Sequence, residues 1–116
     1  MNTRATLAVL VALLGVPLAC AQAAPPSRAA EGKAIVFNRR LGNCLACHTM
    51  QGSDVASNVG PLLFHVKQKF PDRNKLFQFL WNPESSKPQS VMPAFGKNMI
   101  LDRQQIEAVI DFLYTL

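Results

Sequence analysis

The sequence predicts an all-α domain, and three observations carry that expectation. Apolar residues recur at helical spacing in three separate stretches; no segment alternates apolar and polar residues as a half-buried strand would; and the last stretch opens with Asp102 and Gln105 at the spacing of a capping box.

The first helix follows a lead at residues 24–30, where Pro25, Pro26 and Ser27 read as flexible chain. Ala30, Ala34, Phe37 and Leu41 then fall at i, i+4, i+7 and i+11, one apolar stripe that Gly42 can end. Arg39 and Arg40 suit the negative end of the helix dipole and read as a solvated helix end rather than a binding patch. Residues 49–60 are small and polar, a loop by composition. Asp72 can cap the next helix, Arg73 to Trp81, whose apolar face is Leu76, Phe79 and Leu80, and Asn82-Pro83 stops it. Residues 82–98 carry Pro83, Pro88 and Pro93, yet also Val91, Met92 and Phe95, which favour burial; so long a loop in a small domain points to function. In the last helix, Leu101 and Ile106 form a hydrophobic staple, and Ile106, Val109, Ile110 and Leu113 line one face.

With 116 residues the chain has room for one small domain, which excludes a catalytic module standing beside a binding module. Hydrophobic residues make up 49% and charged residues 16%, too apolar a balance for a disordered tail. The net charge of +5 suits an acidic protein surface, a nucleic acid or a membrane, and does not choose among them.

Residues 1–23 read as a cleaved export signal. Arg4 is the only charge before Arg28, Leu7 to Leu14 is continuously apolar, and Ala21-Gln22-Ala23 offers a cleavage site, with a cut after Ala21 as the rival. The apolar run is too short to span a membrane, so the expected location is the periplasm. Cys20 leaves a lipid anchor as the minor alternative, since Pro17 stands where lipoprotein signals usually carry Leu.

On that reading the mature chain keeps two cysteines, Cys44 and Cys47. A disulfide across so short a loop would add little stability, so the pair points to chemistry. Together with His48 they form Cys-x-x-Cys-His, the attachment sequence of a c-type haem. One helical turn sets two thiols on one side of the backbone, where they can join the two vinyl groups of a porphyrin edge as thioethers, and the next residue brings an imidazole to the iron. Zinc would need about four ligands, and adjacent Cys47 and His48 fit a tetrahedron poorly. A thioredoxin-type dithiol would lie in a βαβ context, which is missing. For the second axial position Met92 is favoured, because its loop otherwise lacks a purpose, with His65 and Met99 as alternatives; Met50 lies too close to His48.

In this order, an N-terminal helix, Cys-x-x-Cys-His, Gly60-Pro61-Leu62, a central helix, Met92-Pro93-x-Phe95-Gly96 and a C-terminal helix resemble a class I cytochrome c. The resemblance covers residues 31–116, the expected cytochrome c domain, and implies three main helices wrapped around one covalently attached haem c. It further implies that Pro61 offers its carbonyl to the His48 imidazole. It also implies that Gly32 lets the first helix approach the last near Tyr114. Trp81 then has two readings, a donor to a haem propionate or an ordinary core residue.

A narrower resemblance rests on Gly32-Lys33-Ala34-Ile35-Val36-Phe37, Arg39 through Cys44, Phe70-Pro71-Asp72-Arg73, Val91 through Gly96, and the end Asp111 through Leu116. These segments are similar to the SoxX family, the monohaem cytochrome subunit of the SoxAX complex. The resemblance implies an electron-transfer subunit of an L-cysteine S-thiosulfotransferase, paired with a SoxA-like cytochrome that holds the catalytic haem. That complex joins thiosulfate to a cysteine of the SoxYZ carrier, and electrons pass on to a downstream cytochrome c. The alternative is a free-standing periplasmic class I electron shuttle. A third reading, a basic module binding nucleic acid through Lys67, Lys69, Arg73 and Lys75, is disfavoured by export.

Overall fold

The computed structural model describes residues 24–116; the expected export signal and Cys20 lie outside them. Four α-helices follow one another, α1 (Arg28–Phe37), α2 (Val66–Lys69), α3 (Arg73–Trp81) and α4 (Arg103–Leu113), with 3₁₀ turns at Cys44–Ala46 and Pro83–Ser85. Among the described residues β-structure is limited to one isolated bridge between Met50 and Leu63.

The caps explain where the helices start. Ser27 Oγ accepts from the Ala30 N–H, so α1 begins at Arg28 and takes in the last three residues of the expected flexible lead. Asp72 accepts from the N–H groups of Asn74 and Lys75, and α3 runs to Trp81 as its spacing predicts. Asp102 and Gln105 form the full capping box, each side chain bonding the other's backbone N–H. The single turn of α2 carries too few residues to show a periodicity, and nothing in the pattern announces it.

α1 packs on α4, and here the expected stripe needs correction. Ala30 and Ala34 are exposed, while Gly32, Ile35 and Val36 are buried. The crossing is built on a glycine, which an apolar count passes over. A Cβ on Gly32 would overlap the Ala108 carbonyl oxygen and lie 2.9 Å from the Val109 nitrogen, so the two backbones touch there, two turns before Tyr114. The helix also ends earlier than expected, at Phe37. Asn38 turns out of the helix, and the N–H groups of both Asn38 and Gly42 return to the Ile35 carbonyl; Arg39 and Arg40 sit exposed in the turn beyond.

Gly32→Ala is expected to cost roughly 2–4 kcal/mol, because the atom it meets is backbone and cannot swing aside. A thermal melt of the cofactor-loaded protein checks this, and an unchanged midpoint would show that α1 shifts freely on α4.

Ile106 and Ile110 are fully buried at the centre of one core, which gathers Ile35 and Val36 from α1, Leu76, Phe77 and Leu80 from α3, and Val109, Phe112 and Leu113 from α4. Met50, 3% exposed, belongs to this core. A charged clasp binds the three long helices at their edge. The Arg73 guanidinium donates to Glu107 Oε2 from Nε at 2.9 Å and from Nη2 at 2.6 Å, reaches Asp111 at 2.6 Å, and shares Asp111 with Arg28 at 3.3 Å. Burial alone would lower the Arg73 pKa, but the bonds to Glu107 and Asp111 outweigh it and hold the group above its ordinary value. Tyr114 adds a tie by donating its hydroxyl to the Phe70 carbonyl at 2.7 Å.

Arg73→Ala should lower stability by about 1–2 kcal/mol, more than a lone surface pair because two carboxylates and the Glu107 carbonyl lose one shared donor. Melting at the wild-type temperature would reduce the clasp to an ordinary surface pair.

Candidate cofactor site

The Cys-x-x-Cys-His segment is one tight turn. Asn43 adopts a left-handed conformation (φ 47°) that swings the chain away from α1, and the N–H groups of Cys47 and His48 both bond the Cys44 carbonyl, at 3.2 and 2.9 Å. Cys44 and Cys47 are free thiols. Burial pushes the Cys44 thiol up to about 11, partly opposed by a backbone hydrogen bond and reinforced by Cys47.

The loop that follows is folded back onto this turn by its own polar groups. Gly60 N–H donates to the Cys47 carbonyl at 2.7 Å and Leu63 N–H to the Thr49 carbonyl at 2.9 Å. Thr49 and Ser57 exchange two bonds, hydroxyl to carbonyl at 3.0 Å and N–H to hydroxyl at 2.8 Å. The polar composition that marks residues 49–60 as a loop is therefore the material of its closure. Closure delivers the Pro61 carbonyl to the His48 ring, 2.7 Å from Nδ1. A carbonyl only accepts, so Nδ1 carries a proton, and in the neutral ring this tautomer leaves the lone pair on Nε2. Gly60 provides the clearance, since a Cβ there would sit 2.5 Å from His48 Cε1.

Beside this turn lie two adjoining cavities of about 430 and 350 Å³, both lined by Cys44, His48, Pro61, Phe79, Lys87 and Met92. Cys47 lines the larger one, and Leu76, Leu80 and Val109 help wall the smaller. Among Lys, Arg, Asp and Glu side chains the linings hold only Lys69 and Lys87. The cleft is thus apolar, with cations and no carboxylate at its edge, which suits a large flat apolar group bearing acidic substituents.

Among the described residues no group of three or more His, Cys, Asp and Glu side chains converges as metal ligands. A metal held here would have to bring its equatorial ligands with it. An iron porphyrin does so, and it matches what the cleft provides: two thiols at one wall, an imidazole with its lone pair available, and a thioether.

Residues 29–116 match the family described as "Cytochrome c". The chain belongs to the cytochrome c family. Membership implies electron transfer by a covalently bound haem c, and Cys44 and Cys47 fit the attachment motif. The chain is also 32% identical over 76 residues to a protein of Aquifex aeolicus (strain VF5) named "Uncharacterized lipoprotein"; the match covers 65% of this chain and 37% of that protein's length. Among the described residues no helix is long and apolar enough to cross a membrane.

The structure distributes the sequence candidates unevenly within this cytochrome c. Cys44, Cys47, His48, Pro61 and Met92 meet at the cleft. His65 is exposed, caps α2 with φ 49° and packs edge-on to Phe64; Met99 is 90% exposed; neither lines a cavity. Trp81 also lines neither cavity, its indole lying instead between Phe77 and Gly96. Of the basic residues offered as a nucleic-acid surface, three are engaged within the domain, Arg73 in the clasp, Lys69 over the Phe64 ring at 3.9 Å and Lys67 5.9 Å from the Tyr114 ring, while Lys75 is exposed. Lys87, one of two lysines in the proline-rich loop, enters the lining, a placement the sequence pattern does not predict. Phe79, which the helical spacing places on one apolar face with Leu76 and Leu80, stands half-buried on both cavity walls.

Proposed function

We propose that this cytochrome c is the electron-transfer subunit of a SoxAX-type complex, with His48 and Met92 as the axial ligands of its haem. The observation that supports the ligand pair is the convergence of the Pro61-tied imidazole and the Met92 thioether on the same two cavities, from which His65 and Met99 are remote. A haem bound in the cleft would supply one-electron chemistry between its ferric and ferrous states. The chain's own residues do the rest. Cys44 and Cys47 fix the group covalently, and Pro61 holds His48 in the tautomer that can bind iron. The apolar walls keep water away, and Met92, a soft neutral ligand, favours the ferrous state.

The pairing with a SoxA-like subunit rests on the sequence segments that resemble SoxX. In that scheme a carrier thiol and thiosulfate become a carrier S-thiosulfonate with release of one proton and two electrons. This subunit accepts the electrons singly and passes them to a downstream cytochrome c. Mixing the purified protein with a SoxA-like cytochrome should give a stable complex that consumes thiosulfate when the SoxYZ carrier and an electron acceptor are present. No complex, or a complex without thiosulfate consumption, would refute the assignment.

The matched relative carries a lipoprotein name, and a lipid on Cys20 would anchor this chain in either reading, complex subunit or free-standing periplasmic shuttle. Mass spectrometry of the exported protein separates the two forms. A lipid on Cys20 would show an anchored protein and removal of residues 1–23 a released one, while the pairing assay with a SoxA-like cytochrome separates subunit from shuttle.

A further inference from the structure

The loop that bears Met92 is held by short local turns on its N-terminal side, where the Lys87 N–H bonds the Pro83 carbonyl and the Ser90 N–H the Lys87 carbonyl, and by the core on its C-terminal side. Before it, Lys87, Pro88 and Gln89 are exposed, and the nearest tie is the Met92 N–H on Ser90 Oγ at 3.2 Å. After it, Ala94, Phe95 and Gly96 are all buried. The Phe95 N–H donates to the Leu80 carbonyl at 3.2 Å and the Lys97 N–H to the Trp81 carbonyl at 3.1 Å. Both carbonyls belong to the last turn of α3, where no helical partner remains for them. The loop is therefore docked on the end of α3.

The height of that docking is set by a contact without slack. The Gly96 backbone lies on the six-membered ring of Trp81, so close that a Cβ would overlap Cε3 and sit 2.7 Å from Cζ3. The indole cannot yield, because its other neighbours clamp it. Phe77 stacks on it with ring centres 5.8 Å apart and planes at 22°, and the Arg103 guanidinium lies 4.6 Å from the Phe77 ring and 5.9 Å from Trp81. Three residues separate this fixed point from Met92, and Phe95 among them lines the cavity that Met92 lines.

We infer that Trp81 is a positioning residue: its ring is the platform on which Gly96 seats the loop, and that seating holds the Met92 thioether in the cleft. The inference rests on the reading of Met92 as a ligand. It gives the indole a task other than touching the cofactor, in keeping with its place outside both cavities.

The test uses the haem-loaded protein and two readouts, the weak long-wavelength absorption of ferric haem with a thioether ligand and the midpoint potential. Gly96→Ala should lose the band and shift the redox equilibrium at least tenfold toward ferric, ~59 mV for one electron. Trp81→Leu, which leaves room for the new methyl group, should restore both in the double variant, whereas Trp81→Phe alone should keep them. Gly32→Ala is the control, an equal backbone overlap on α1 that should lower the melting point and leave both readouts alone. If Gly96→Ala keeps the band while Met92→Ala loses it, the platform is wrong and the ligand stands. If Met92→Ala keeps the band, the ligand reading falls and the platform with it. If Gly32→Ala also loses the band, the band follows general stability and the inference is overturned. Should Gly96→Ala fail to accumulate, Trp81→Leu alone carries the test: a band and potential equal to those of Trp81→Phe would overturn it.

Discussion

A variant with Cys44→Ala and Cys47→Ala together is expected to lose most of its helical circular dichroism and its cooperative melt. The reason lies in what walls the cleft. Leu76, Leu80 and Val109 belong to the central core and also line the smaller cavity, so an unfilled cleft leaves that core without packing partners on one side. A cavity costs about 24 cal/mol per Å³, which for 430 Å³ is on the order of 10 kcal/mol. That is an upper figure because the cleft opens to solvent, yet it equals the whole stability of a typical domain. A domain of this size buries too little other surface to absorb the loss. Circular dichroism of the double variant beside the haem-loaded protein checks this. Equal helicity and an intact melt would show that α1, α3 and α4 fold without the cofactor.

The second large effect is expected at Met92. Met92→Ala should abolish the thioether-dependent absorption and shift the redox equilibrium toward ferric by at least tenfold, ~59 mV for one electron, because the neutral soft ligand that favours ferrous iron is gone. His65→Ala and Met99→Ala should change neither readout, since both side chains lie outside the cleft. Potentiometric titration of the three variants decides the matter. A shift in His65→Ala with none in Met92→Ala would transfer the axial role to the imidazole.

What the residues disclose in advance, and what they conceal, follows from the kind of contact involved. Asp72 and Asp102 mark the starts of α3 and α4 because a cap is a local event between residues three apart. Cys44, Cys47 and His48 are legible because their chemistry needs them adjacent. The face of α1 is concealed, since its anchor is the missing side chain of Gly32, and Ala30 and Ala34 imitate a stripe without needing burial. Lys87 and Phe79 enter the cleft lining through the path of the chain after α3, which depends on backbone bonds between Phe95 and Leu80 and between Lys97 and Trp81. Such bonds are blind to residue type and leave no pattern to read. Trp81 shows the same limit: an indole ending an amphipathic helix announces burial, but not that its partner is a glycine fifteen residues on.

The central claim is that Cys44 and Cys47 hold one haem between His48 and Met92. It is tested most directly by the absorption spectrum of the purified exported protein, oxidised and then reduced, repeated after acid and organic-solvent extraction. The account predicts a c-type spectrum on reduction, the weak long-wavelength thioether band in the ferric form, and a chromophore that stays with the polypeptide through extraction. A c-type spectrum without that band would contradict the role given to Met92, and a protein with no chromophore, or one that extraction removes, would contradict the site as a whole.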